Sequence, residues 1–155
     1  MLNKTSVTAI RALVYLGRSA SPEPIPPIQI ANALGASPAY LSKINAHLTR
    51  AGILQAHRGI KGGVTLARLP SEISLLHIVE ACQGRILGDY CQPYDDTSAV
   101  CAFHAAMQEL QHSILATLSR WTLADILEKP QPDAHLRAHV KCCMGPDPFR
   151  SPTSK

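Results

Sequence analysis

From Val7 to Leu16 apolar side chains recur at Val7, Ile10, Leu13, Val14 and Leu16. That near-helical stripe predicts a first helix over roughly Thr5 to Ser19. The next stretch, Ser21-Pro22-Glu23-Pro24-Ile25-Pro26-Pro27, ends it, because four prolines in seven residues remove amide donors and fix backbone angles. Pro27 suits the first turn of a second helix over Ile28 to Leu34, and Gly35 suits its left-handed exit. Ser37 followed by Pro38 reads as a cap and first position, so a third helix is expected from there to Arg50. Ala31, Gly35 and Leu41 supply a small crossing residue, a turn glycine and an apolar anchor, the requirements of two helices packed across a short turn.

Beyond Gly52 the period changes. Ile53 to His57 and Val64 to Arg68 are short strand candidates joined by the basic turn Arg58-Gly59-Ile60-Lys61-Gly62-Gly63, which predicts a two-stranded hairpin. Its glycines at 59, 62 and 63 permit positive φ and close approach of the backbone to a phosphate. Ser74 to Ala81 is expected to be a short helix and Gln83 to Thr97 a loop. From Ser98 to Trp121, Val100, Phe103, Met107, Leu110, Ile114 and Trp121 follow three-four spacing. A long helix with such a seam packs on another helix, either within the chain or on its own copy in a homodimer. The five prolines and weak periodicity after Glu128 predict a mobile tail.

Charge sharpens this picture. Residues 1–70 hold eight Lys or Arg against the single acid Glu23, a balance of +7, whereas residues 71–127 carry –5. Basic clustering on one portion is the electrostatic footprint of phosphate binding, and a helix followed by a basic hairpin is how a winged helix grips double-stranded DNA. A solubilising surface, or a winged-helix protein-interaction module, is the competing reading. With 46% hydrophobic residues the chain can bury a core. No stretch reaches the ~18 uninterrupted apolar residues of a membrane span, and the N-terminus lacks the features of a signal peptide, so a cytoplasmic protein without a membrane partner is expected. In that compartment the five cysteines are thiols or metal ligands rather than structural disulfides. Enzymatic chemistry finds no support: no nucleophile with its base and no paired carboxylates are visible, and the glycine turn lacks a Walker lysine-hydroxyl pair.

The segments Ser37-Pro38-Ala39-Tyr40-Leu41-Ser42-Lys43-Ile44, Leu48-Thr49-Arg50-Ala51-Gly52-Ile53-Leu54, Arg58 to Gly63 with Leu66 and Arg68, Ile73-Ser74-Leu75-Leu76 and Thr122-Leu123-Ala124-Asp125-Ile126 together resemble the Rrf-two-type winged-helix transcription regulators, the group of the IscR and NsrR sensors. The resemblance runs from about Met1 to Leu127. It implies a mainly α fold: a winged helix-turn-helix with a two-stranded wing and a long C-terminal dimerisation helix. It also implies a division into a DNA-binding domain (1–82), a sensor or cluster loop (83–98), a dimerisation helix with a following short helix (99–127) and a tail (128–155).

Carried onto this chain, the resemblance assigns DNA contact to Ser37, Ala39, Tyr40, Ser42, Lys43, Arg58, Gly59 and Lys61. Tyr40, Ser42 and Lys43 have donors for phosphates or base edges, and Arg58 suits a narrow minor groove. Tyr40 has a second reading, as a partly core aromatic. The family's iron-sulfur site falls on Cys91, Cys101 and His104, the last two at i and i+3 and therefore on one helix face. The chain departs from the family pattern in lacking the middle cysteine; Asp95 or Asp96 occupies that part of the loop. Three readings stay open: a [2Fe-2S] cluster on these residues with a further ligand, a thiol pair of Cys91 and Cys101 that oxidises to a disulfide, and zinc or no cofactor. Cys82 reads as core, and Cys142-Cys143 as exposed thiols. The implied function is a sequence-specific transcriptional regulator, a repressor, sensing redox, iron-sulfur status or nitric oxide.

Overall fold

The computed structural model describes residues 2–19, 23–86, 96, 98–133, 135, 136, 139 and 142–144. Helix α1 (Lys4–Arg18) is its centre. The Asn3 side chain accepts from the Ser6 amide at 2.8 Å and so caps the helix start. The α1 stripe is wider than the spacing of large residues suggests. Ser6, Ala9 and Ala12 are fully buried beside Leu13, because α2, α3, α4, α6 and the hairpin all pack on this one helix. Small side chains let several neighbours approach closely.

Helix α2 (Pro27–Leu34) starts at Pro27 and ends on Gly35 at φ 63°, as the proline and glycine positions require. Helix α3 (Pro38–Arg50) is capped by Ser37, whose hydroxyl accepts from the Tyr40 amide at 3.2 Å. Ala31 and Leu41 are fully buried at the α2–α3 crossing. Strands β1 (Leu54–His57) and β2 (Gly63–Leu66) pair antiparallel, with Leu54 opposite Leu66 and His57 opposite Gly63. The proline-rich connection adds a single bridge on the outer edge of β2: Ile25 and Val64 exchange both backbone hydrogen bonds at 3.0 Å. Sequence patterning did not anticipate this third partner.

A 3-10 turn (Pro70–Glu72) leads to α4 (Leu75–Gln83), capped by Ser74. Helix α5 (Ala102–Arg120) begins four residues later than the apolar seam suggested. The reason is local: the Asp96 carboxylate accepts from the Ser98 amide at 3.0 Å and its hydroxyl at 2.6 Å, which holds a turn ahead of the helix. Helix α6 (Leu123–Glu128) returns to the core through a Ser74–Thr122 bridge, packs on α1 and places Leu123, fully buried, in the core. The core itself is aliphatic, built on Leu13, Ile30, Leu41, Ile44, Leu48, Ile53, Ile73, Ile78 and Leu123. Of the tail, Met144 packs partly against this core. The remaining loop between residues 87 and 95 and the last eleven residues lie outside the described set.

Helix α5 differs from every other long helix in having no buried residue. Phe103, Leu110 and Trp121, three members of its apolar seam, are exposed at 62%, 43% and 43%. At 1.5 Å per residue its nineteen residues extend over roughly 28 Å.

Candidate nucleic-acid interface and cysteine site

Helix α3 is two-faced for a simple reason. Leu41, Ile44, Asn45 and Leu48 recur at three-four spacing and are buried, which leaves Ser42, Lys43, Ala46, Thr49 and Arg50 on the opposite, exposed side. Ser37 and Ala39, at the helix start, are exposed as well. The hairpin stands beside this face. Its turn is closed by the Gly62 amide donating to the Gly59 carbonyl at 2.9 Å, and His57 Nε2 meets Thr65 Oγ1 across the strands at 2.9 Å. Arg58, Gly59, Ile60 and Lys61 at the turn are all exposed, Ile60 completely.

The three wing glycines have different physical roles. Only Gly59, at φ 111°, occupies the left-handed half of backbone space. Gly62 and Gly63 are required by proximity instead. A Cβ on Gly62 would lie 2.6 Å from the His57 carbonyl oxygen, and one on Gly63 would lie 2.5 Å from that of Ile25.

Helix and wing enclose a groove of about 700 Å³ whose lining includes Ser42, Asn45, Thr49, Arg50, His57 and Gly59. Ser42 on α3 and Gly59 on the wing thus border one groove, and Lys43, Arg58 and Lys61, their neighbours along the chain, are exposed. Among the described residues none of these three cations has an ion pair, so their charge is available to a polyanion. Tyr40 is the exception among the expected contact residues. It is half-buried and its hydroxyl donates to Thr5 Oγ1 at 3.3 Å, tying α3 to α1. Arg50, His57 and Ile60 join the surface without having been singled out in the sequence; Ile60, wholly exposed at the turn, carried a signal in being apolar between two cations. Asn45, 5% exposed with neither amide atom hydrogen-bonded, carried none.

The cysteine site is described in part. Cys101 is the residue capping α5, exposed, and makes no side-chain cap hydrogen bond. His104 is half-buried three residues on, and its buried Nε2 has no partner among the described residues. A buried ring nitrogen without a partner is chemically suited to a ligand or a donated proton. Cys91 lies outside the described residues, and among those that are described no three His, Cys, Asp or Glu side chains gather as a metal centre would need. The Asp96 carboxyl is held below its ordinary range by the hydrogen bonds from Ser98, hydroxyl first and amide second. Cys82 packs against the core, and burial pushes its thiol up to about 11. It therefore stays protonated and is unsuited to metal binding at neutral pH.

Comparison with known proteins points in one direction. A family model described as Rrf2, iron-dependent transcriptional regulator, matches residues 2–129. Protein aau3 of Rhizobium meliloti (strain 1021) is 32% identical over 139 residues, spanning 84% of this chain and 87% of that one. Among solved structures, CymR (YrzC), the global cysteine regulator of B. subtilis, superposes with a TM-score of 0.71 at 20% identity, covering 84% of this chain and 98% of that one. T. potens IscR superposes with a TM-score of 0.68 at 24% identity, covering 92% and 93%.

Proposed function

Because the chain belongs to the Rrf2 family of transcriptional regulators, and is a DNA-binding regulator rather than an enzyme, we propose that it acts as a homodimeric repressor that reads an operator with α3 and the wing and adjusts its grip through Cys91, Cys101 and His104. The observation that carries the DNA-reading part is the shared groove: Ser42 on α3 and Gly59 on the wing line it together, and Lys43, Arg58 and Lys61 beside them in the chain are exposed and without an ion pair among the described residues. In this reading the first turn of α3, with Ser37 and Ala39, faces the major groove. Ser42 and Lys43 bond phosphates or base edges, and Arg58 with Gly59 and Lys61 enters or flanks the minor groove. Tyr40 acts from behind, fixing α3 against α1 through Thr5.

Dimerisation is assigned to α5. Its exposed Phe103, Leu110 and Trp121 form an apolar strip uncovered by the described residues, and a second copy would bury it while setting two recognition helices against half-sites about one DNA turn apart. Residues 1–82 are the reading head, 83–98 the sensing loop, 99–127 the dimerisation unit and 128–155 a tail.

His104, with its orphaned Nε2, and Cys101 beside it suit an iron-sulfur site completed by Cys91 and a further donor. A [2Fe-2S] cluster bound there would supply a one-electron change of charge, and an imidazole ligand raises its potential relative to thiolates alone. The protein's part is to hold Cys101 at the mouth of α5, so that a change at the site is felt by the helix that sets the dimer. A second reading rests on the chain's lack of the middle cysteine of the family pattern. Here Cys91 and Cys101 each give up a proton and together two electrons to an oxidant, forming a disulfide.

The test is anaerobic purification with iron analysis and a visible spectrum, followed by operator binding of metal-loaded and metal-free protein at matched salt. A coloured, iron-loaded dimer whose affinity differs severalfold to a hundredfold between the two forms is expected. Equal affinities would remove the sensing role and leave DNA binding standing; loss of all binding to the chain's own promoter would remove both.

A further inference from the structure

A second cavity, of about 460 Å³, lies between the C-terminal half of α1 and the end of α2, and neither Cys101 nor His104 lines it. Two kinds of wall meet there. Val14, Leu34 and Met144 are apolar, and Arg11, Tyr15 and Arg18 are polar. Arg11, Tyr15 and Arg18 follow i, i+4, i+7 spacing, so they lie along one face of α1, with the outer two about 10 Å apart along the axis.

Neither guanidinium is neutralised. Among the described residues Arg11 and Arg18 have no carboxylate within ion-pair distance, although Arg11 is half-buried. A cation drawn partly out of water favours an anion beside it. Tyr15 accepts a hydrogen bond from Gln29 Nε2 at 3.1 Å, which leaves its own hydroxyl proton available to a further acceptor. The volume lies within the range of small-molecule sites. Neither the DNA surface nor the cysteine site uses any of these side chains.

We infer that this cavity binds a small amphipathic anion. Its carboxylate, phosphate or sulfonate head bonds the guanidinium groups of Arg11 and Arg18 and the Tyr15 hydroxyl, and its hydrocarbon or aromatic body lies against Val14, Leu34 and Met144. Planar guanidinium groups match such heads in bidentate fashion. The occupant would bridge α1 to α2, the two helices on which α3 rests, and so has a route to the reading head through packing alone. The inference stands apart from the DNA-binding reading and is tested without DNA.

The probe is 8-anilinonaphthalene-1-sulfonate, titrated into the full-length protein and followed by fluorescence, with decanoate and inorganic phosphate as competitors. Expected is a single saturable site per chain from which decanoate displaces the dye and phosphate does not. The double variant R11Q/R18Q should weaken binding at least tenfold, R18K, which keeps the charge but not the planar fork, should weaken it less than R18Q does, and R68Q, outside the cavity lining, should leave it unchanged. R18Q alone, at an exposed position that folding does not need, serves if the double variant fails to fold, and should weaken binding severalfold. Displacement by phosphate as readily as by decanoate would show a simple anion site and overturn the amphipathic assignment. Absence of saturable binding, or equal binding by R18Q and the unaltered chain, would overturn the site itself.

Discussion

Asn45 is a residue whose replacement by an apolar side chain should raise the stability of this protein. It sits on the buried side of α3 between Leu41, Ile44 and Leu48, all fully buried, and is itself 5% exposed. Both its Nδ2 and its Oδ1 lack a hydrogen-bond partner. A buried polar group left unpaired costs about 1–3 kcal/mol. Substitution Asn45→Leu removes that cost and keeps the branching pattern at Cγ. Burying an aliphatic side chain fully contributes a further ~1.5–3 kcal/mol, and overpacking takes back about 1–3 kcal/mol. The overpacking falls at the low end here, because Asn45 borders the open groove between α3 and the wing, where the larger side chain can extend. The expected net effect is a stabilisation of about 2 kcal/mol, or roughly 4–8 °C in melting temperature for a chain of this size. Urea unfolding of both proteins checks it: the midpoint should rise with the slope unchanged. Asn45→Asp, which places a carboxylate in the same surroundings, should move the midpoint the other way. A leucine variant no more stable than the parent would mean that ordered water already serves the amide, and the reasoning would be wrong.

Other consequences follow from the same geometry. Lys61→Ala should leave the stability within the small range of an exposed change, about 0.5 kcal/mol, while reducing the slope of log affinity against log salt for operator binding by about 0.9 per subunit, hence about 1.8 for a dimer, measured by fluorescence anisotropy; an unchanged slope would take Lys61 off the DNA. Gly63→Ala forces a Cβ against the Ile25 backbone and should cost about 1–3 kcal/mol in denaturant unfolding, with the Ile25–Val64 bridge lost from amide exchange protection; full stability would mean that the bridge does not hold the wing. Asp125 is held below the usual carboxylate range by the Thr122 amide and then its hydroxyl. Its folded pKa is depressed, so its stabilisation is complete above the ordinary value and disappears as pH falls through that value and then the lower folded one. Thermal melts between pH 6 and 3 should therefore show a smaller acid-induced decline for Asp125→Asn than for the parent.

How much of this could be read from residues alone depends on the range of the force involved. The ends of α2 and α3 were legible because Pro27, Gly35, Ser37 and Pro38 act within one turn of the backbone, and each stands where its own geometry requires. The hairpin was legible from the change of period and the glycine turn, and the aliphatic core from three-four spacing. Ser37, Ser42, Lys43, Arg58, Gly59 and Lys61 could be named as a surface because polar residues on a short amphipathic helix and at a turn have no other place to go.

Long-range contacts set the remainder. Local spacing could not tell that Gly62 and Gly63 yield to the carbonyls of His57 and Ile25 rather than adopting positive φ, or that the Tyr40 hydroxyl is taken by Thr5, thirty-five residues away. It could not show a polar Asn45 turned into the core, nor Arg11 and Arg18 left without anions around a cavity shared with Met144. Amino-acid order determined where this backbone bends and which face of each helix seeks the interior, since those depend on neighbours along the chain. Tertiary packing alone decided which polar groups found partners, because satisfaction of a donor, an acceptor or a charge depends on what distant segments bring to it.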